Sequence, residues 1–256
     1  MKIIAAAKRV KRGLASLVGK AKQAGRISDA EKMLANLTPG DYFVMPSPSA
    51  NITQWASPNL VSKILNHEIE AGDDPRWREF GFKTKADYAF WSWRIYGLMC
   101  FKSVLDSYGV AKGETVASLT KKGEDLGGYK AKADEGWFYA PLIKLARGYA
   151  VDGGIYGALD IREIAAAVLK NRFVVASVHP DVIRGDIDKK PQDDKGHLVL
   201  VWGFRWDGGK ITGFFINNPS GREKSTQVKA FIPITQFDEA FAGRGFWLKH
   251  KKLETM

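Results

Sequence analysis

A thiol, an imidazole and a side-chain amide stand where they could act together. Cys100, the only cysteine, lies in FWSWRIYGLMCFKSVLDSYG. About a hundred residues later His197 opens the apolar run of KGHLVLVWGF, and Asn217 and Asn218 close the run ITGFFINN before Pro219. A thiol near the start of a helix is held as thiolate by the backbone dipoles there. A histidine within reach takes its proton, and an amide at the end of a neighbouring strand fixes the ring in one tautomer. The chemistry on offer is acyl transfer, in which a thiolate attacks a carbonyl and water releases the acyl-enzyme.

Each residue also has a plainer reading. A single thiol in an apolar helix is usually packing, because free cysteine is among the most buried residue types. Its predicted place in the first helical turn, after Gly97, tips the reading towards a nucleophile. Of the four histidines, His67 and His250 lie in polar surroundings, while His179 before Pro180 is the second choice for a base. His197 precedes LVLVWGF, and a polar residue at the lip of a buried strand needs a partner. Asn-Asn-Pro-Ser-Gly reads as a turn by itself. Successive strand residues face opposite ways, so one asparagine at most can point at His197, and Asn218 is the one chosen.

The elements that must position these groups follow from periodicity. A helix is expected over about Leu98–Tyr108, ending before Gly109. Further helices are expected over 28–37, with Ser28 as cap, and over 58–70, 84–95 and 139–149. LDIREIAAAVLKN is another, with Asp160 and Glu163 in capping-box positions. FVVASV, HLVLVWGF, ITGFFIN and RGFWLKH read as strands, WDGG as a turn and TQFDEAFAG as a short helix. Helices first and strands later indicate an α+β domain, with an antiparallel sheet packed on the cysteine helix. Residues 1–40 read as a basic helical extension and 41–256 as one domain. The stretches 110–137 and 180–196 read as polar loops that could wall a cleft.

Composition narrows the function classes. The 256 residues carry a formal net charge of +11, but residues 1–28 supply eight cations and no acid. The remainder is close to neutral, unlike a fold that tracks a polyanion, so no nucleic-acid partner is expected. The N-terminal segment is read as a solvated basic arm, the alternative being a helix lying on anionic lipid. No run reaches the roughly 20 apolar residues of a membrane span, and LASLVG is too short for a secretory signal, which favours the cytoplasm. No paired His or Cys spacing calls for a metal, and no cofactor is expected.

The blocks YGLMCFKSVLDSYG, GHLVLVWGF, INNPSG and ITQFDEAFAGRGFWL resemble, in order, those of bacterial papain-like peptidases of the bacteriocin-leader-processing, C39-like group. The resemblance spans about residues 50–248. It implies a papain-like fold with Cys100 as nucleophile, His197 as base and Asn218 as orienter. It also implies an oxyanion glutamine, matched by Gln54 in NITQWASP. Gln54 stands 46 positions before Cys100, further than in the family, and the position six before the cysteine is Arg94. Tyr96 stands where related sequences carry small or cysteine residues. The function expected is a cysteine peptidase acting on a peptide or isopeptide bond. The alternatives are a non-catalytic peptide-binding module, or a transamidase or acyltransferase with the same triad.

Overall fold

The computed structural model describes residues 19–130, 136–184 and 196–254. A first helix, α1 (19–34), runs through Ser28 instead of starting there. Ser28 is exposed and costs the helix little, whereas Ala30 and Leu34, four apart on one face, are buried. Strand β1 (Gly40–Phe43) follows. The helix expected over 58–70 is cut to a 3-10 turn and α2 (Val61–Leu65), and His67 stands just beyond at φ 57°, outside any helix. Next come α3 (Lys85–Ser92) and α4 (Tyr96–Ser107).

The stretch 110–137, read as loop, contains α5 (Val116–Asp125), capped by the Thr115 hydroxyl, which accepts from the Ser118 N–H at 3.1 Å. Its polar face hid a buried one made by Val116, Leu119 and Thr120. Helix α6 (Tyr139–Arg147) leads into β2 (Val151–Tyr156), a strand whose two glycines masked it in the sequence. Helix α7 (Ile161–Leu169) has the expected Asp160–Glu163 capping box. The remaining elements are β3 (Phe173–Val178), β4 (His197–Asp207), β5 (Lys210–Asn217), α8 (Lys224–Gln227), β6 (Ala230–Pro233), α9 (Ile234–Ala240) and β7 (Phe241–His250).

The strands form one antiparallel sheet in the order β2-β7-β3-β4-β5-β6. Strand β4 is long enough to pair with β3 through its first half and β1 through its second, with β5 along its other edge. Gly208 and Gly209, at φ 55° and 76°, close the β4–β5 hairpin, as a two-residue turn with both φ positive requires. All of β3 and the first eight residues of β4 are buried, so this part of the sheet is covered on both faces. Leu198 faces α4: a Cβ on Gly97 would stand 2.6 Å from its Cδ1, so only glycine lets the helix come this close. On the opposite face Trp247, opposite Val174 in register, lies beside α7.

Between β1 and α4 a smaller core forms around Trp55, Val61, Ile64, Trp77 and Tyr88. Its polar centre is Asp74, fully buried, which accepts from Ser57 N–H (3.0 Å), Ser57 hydroxyl (2.6 Å), Tyr88 hydroxyl (2.5 Å) and Arg76 N–H (2.9 Å). Burial pushes the Asp74 carboxyl up, but these donors outweigh it and hold the pKa below the usual range. This small unit fills the long interval between Gln54 and α4.

Candidate functional site

The candidate site gathers where the first turn of α4, the start of β4 and the end of β5 meet. His197 is 4% exposed, at the first position of β4. Its Nε2 stands 2.7 Å from Asn218 Oδ1. That oxygen also accepts from the Ser220 N–H at 3.0 Å, which fixes it as the acceptor of the amide. Nε2 therefore carries the ring proton, and Nδ1 is left with the lone pair of a base. Burial, opposed by the Asn218 hydrogen bond, lowers the His197 pKa to about 4, so the ring is neutral at neutral pH. Asn217 turns the other way: its Oδ1 accepts from Trp202 Nε1–H (3.1 Å) and Lys229 N–H (2.9 Å).

Gln54 reaches the same corner across the sequence. Its N–H donates to the Pro219 carbonyl and its Oε1 accepts from the Ser220 hydroxyl, both at 3.0 Å. With Oε1 engaged, its Nε2 is the end of the amide that can donate. The structure thus brings together His197, Asn218 and Gln54 through the Asn218–Ser220 turn.

Cys100 is arranged differently. Helix α4 begins at Tyr96, two residues before the expected start, so Cys100 lies one turn inside rather than in the first turn. The thiol is fully buried, and its Sγ–H donates to the Leu198 carbonyl at 3.5 Å. Among the described residues no hydrogen bond joins it to the His197 ring. Burial raises its pKa well above that of a free thiol. The expected thiol–imidazole pairing is therefore absent, because the helix starts earlier and the thiol points at the strand backbone.

The side chain that does meet the histidine is Tyr96, first residue of α4 and half-buried, whose ring centroid lies 5.2 Å from that of His197. Its hydroxyl extends towards Gly136, where a Cβ would stand 3.2 Å from it. The sequence marks Tyr96 only as standing where related sequences carry small or cysteine residues. The missing signal is the helix start: Ile95 caps α4 without a side-chain hydrogen bond, so nothing in the sequence marks the first turn.

Around this corner, Trp93 is 36% exposed, edge-on to Trp55 and stacked on His67 with centroids 5.7 Å apart. The runner-up base, His179, accepts from Asp181 N–H through Nδ1 at 3.1 Å and belongs to a turn. Most of the second expected cleft wall, 185–195, and part of the first, 131–135, lie outside the described residues, as do 1–18 of the basic arm. No group of three or more potential metal ligands occurs among the described residues.

This chain resembles C39-like peptidase domains. A double-glycine-motif protease from an AMS/PCAT transporter, solved with its leader peptide, matches at 16% identity and TM-score 0.38, over 60% of this chain and 83% of that one. The peptidase domain of Streptococcus ComA, a bifunctional ABC transporter, matches at 16% identity and TM-score 0.33, over 58% and 89%. A digestive procathepsin L 3 from the larval midgut of Tenebrio molitor matches at 12% and 0.35, over 84% and 71%. No family model and no curated protein matches the sequence. At such TM-scores the likeness carries no argument about chemistry, which rests on this chain's own geometry. Among the described residues no helix is long and apolar enough to cross a membrane.

Proposed function

We propose that this chain is a peptide-binding module on a papain-like peptidase fold, with tyrosine at the nucleophile position, so that it holds a peptide without cleaving it through a thiol. The observation that carries this reading is the pairing of Tyr96, at the first position of α4, with the His197 ring. That position combines the helix N-terminus with the base, the two features that activate a thiol. A phenol there has no thiolate form to attack with, so the step by which a cysteine peptidase opens its substrate is not on offer at this position. Cys100 lacks access: a carbonyl must come within about 3–3.5 Å of an attacking atom, which a fully buried sulfur does not allow. The retained groups still suit recognition. Gln54 offers an amide donor, the His197–Asn218 pair a fixed neutral imidazole, and Tyr96 and Trp93 aromatic surface for a peptide.

The rival reading is a cysteine peptidase working through Cys100, His197 and Asn218, with Gln54 for the oxyanion. Its support is the contact of the Cys100 thiol with the backbone of Leu198, the residue next to the base. One experiment separates the two: iodoacetamide labelling of the folded protein, its His197→Ala variant and a Tyr96→Cys variant. The expected result is slow labelling of Cys100, unchanged by His197→Ala, and fast labelling of Tyr96→Cys. Fast labelling of the wild type that His197→Ala abolishes would overturn the binding-module reading in favour of the peptidase.

A further inference from the structure

On the sheet face opposite α4, a cavity of about 290 Å³ lies between α1, α7, β2 and β7. That volume has room for one small molecule and sits at the lower end of ligand pockets. Its chemistry is uneven. Arg26, on the α1 wall, is already engaged, with Nε 2.5 Å from Glu163 and an Nη donating to the Ala158 carbonyl at 2.9 Å. Lys170 and Arg172, on the opposite side, have no carboxylate partner among the described residues.

Arg172 is held in place by neutral groups. Its guanidinium lies 3.9 Å from the centre of the Trp247 ring and close enough to the Tyr156 hydroxyl to act on its ionisation. The indole in turn lies against Gly154, where a Cβ would stand only 2.6 Å from Nε1. Glycine at this strand position is what allows the ring to lie flat beneath the guanidinium. Arg172 Nε is buried and meets no acceptor. A charged donor left without an acceptor costs more free energy than a neutral one, and native structures rarely tolerate it without a reason. Burial raises the Tyr156 pKa, so its hydroxyl remains a neutral group beside the arginine.

We infer that this cavity is a binding site for a small organic anion, whose phosphate or carboxylate group meets Arg172 and Lys170 while its apolar part lies against Trp247 and Ile155. The two carboxylates in the lining are already engaged, Glu163 by Arg26 and Asp29 by Lys32 at 3.7 Å, so Lys170 and Arg172 are left to supply the charge, and Ile155, 50% exposed, leaves an apolar rim. Because α1 forms one wall, an occupant would fasten that helix to the domain. The site is separate from the Tyr96–His197 corner and stands whether or not that corner binds peptide.

The test is a titration of the full-length protein with sodium phosphate and, separately, sodium acetate, each against sodium chloride at matched ionic strength. The readouts are the Trp247 indole N–H resonance and the melting temperature. Saturable indole shifts with a raised melting temperature are expected for at least one of the two anions. Whichever binds more tightly identifies the head group. Lys170→Ala is expected to weaken that binding about tenfold, the loss of one charge-assisted hydrogen bond. Arg172→Met is expected to abolish it; should that variant not fold, Lys170→Ala alone decides. No saturable shift with either anion, or identical binding by Lys170→Ala, would overturn the inference.

Discussion

His197 pairs a low basicity with an open role, and its surroundings set both. Its folded pKa of about 4 lies below the ordinary value of 6.5, so the folded protein favours the neutral ring. The unfolded chain binds a proton in the window between these values and the folded protein does not. The stabilisation is therefore fully present above about 6.5 and is lost as the pH falls towards 4. The difference amounts to about 3 kcal/mol for a ring removed from solvent. Urea unfolding at neutral pH and at about pH 4 checks this: the wild type should lose about 3 kcal/mol more than His197→Gln, which keeps a donor for Asn218. Equal losses would show that the ring is not buried as described. At this scale the contact of His197 with Asn218 could be read from residue type and strand ends, whereas Gln54 was reached only through the family resemblance. The roles of Tyr96 and Cys100 could not be read, since they sit four apart on the same helix face and only the unmarked helix start tells which is outermost.

Elements place these residues through a few close approaches. The α4–β4 contact depends on Gly97, which brings the first turn of the helix against Leu198 and so sets Tyr96 against the histidine next to it. Gln54 depends on the small core between it and α4, and that core depends on Asp74. Asp74→Asn removes the charge and at least one acceptor that Ser57 and Tyr88 use, leaving buried donors unmet. Its expected cost is about 3 kcal/mol, in the range for breaking a buried charged network. Amide exchange should accelerate in residues 55–92 before it does in the sheet; uniform acceleration would mean that the unit is not separate from the main core. Side-chain punctuation marked α7, with its Asp160 and Glu163 capping box, although α6 and α9 were legible from their apolar pattern without any side-chain cap. The helices that were misjudged lacked such punctuation, or carried polar residues over a buried face, as α5 does.

For the molecule as a whole, the sheet has helices on both faces, and this decides how far the N-terminal helix belongs to the domain. The sequence suggests a break near residue 40, because basic residues crowd before it and Pro39-Gly40 follows the helical pattern. Packing cuts across that break. Leu34 is 3% exposed and belongs to the same core as Phe204, Ile164 and Val199, while Arg26 pairs with Glu163, itself buried, on α7. Charge density reports solvation of the outer face of α1 and says nothing of its inner one, which is why the composition points to an arm and the structure to a docked helix. If α1 is part of the core, Leu34→Ala should behave as a core truncation and cost about 2–5 kcal/mol. A helix that merely rests on the surface would lose well under 1 kcal/mol. Urea unfolding followed by tryptophan fluorescence distinguishes the two, because Trp247 beside α7 and Trp202 in the sheet report the cooperative transition of the main core. A single transition shifted by the larger amount would show that α1 and the sheet unfold together, and that the wall it forms around the Arg172 cavity is as permanent as the strands behind it.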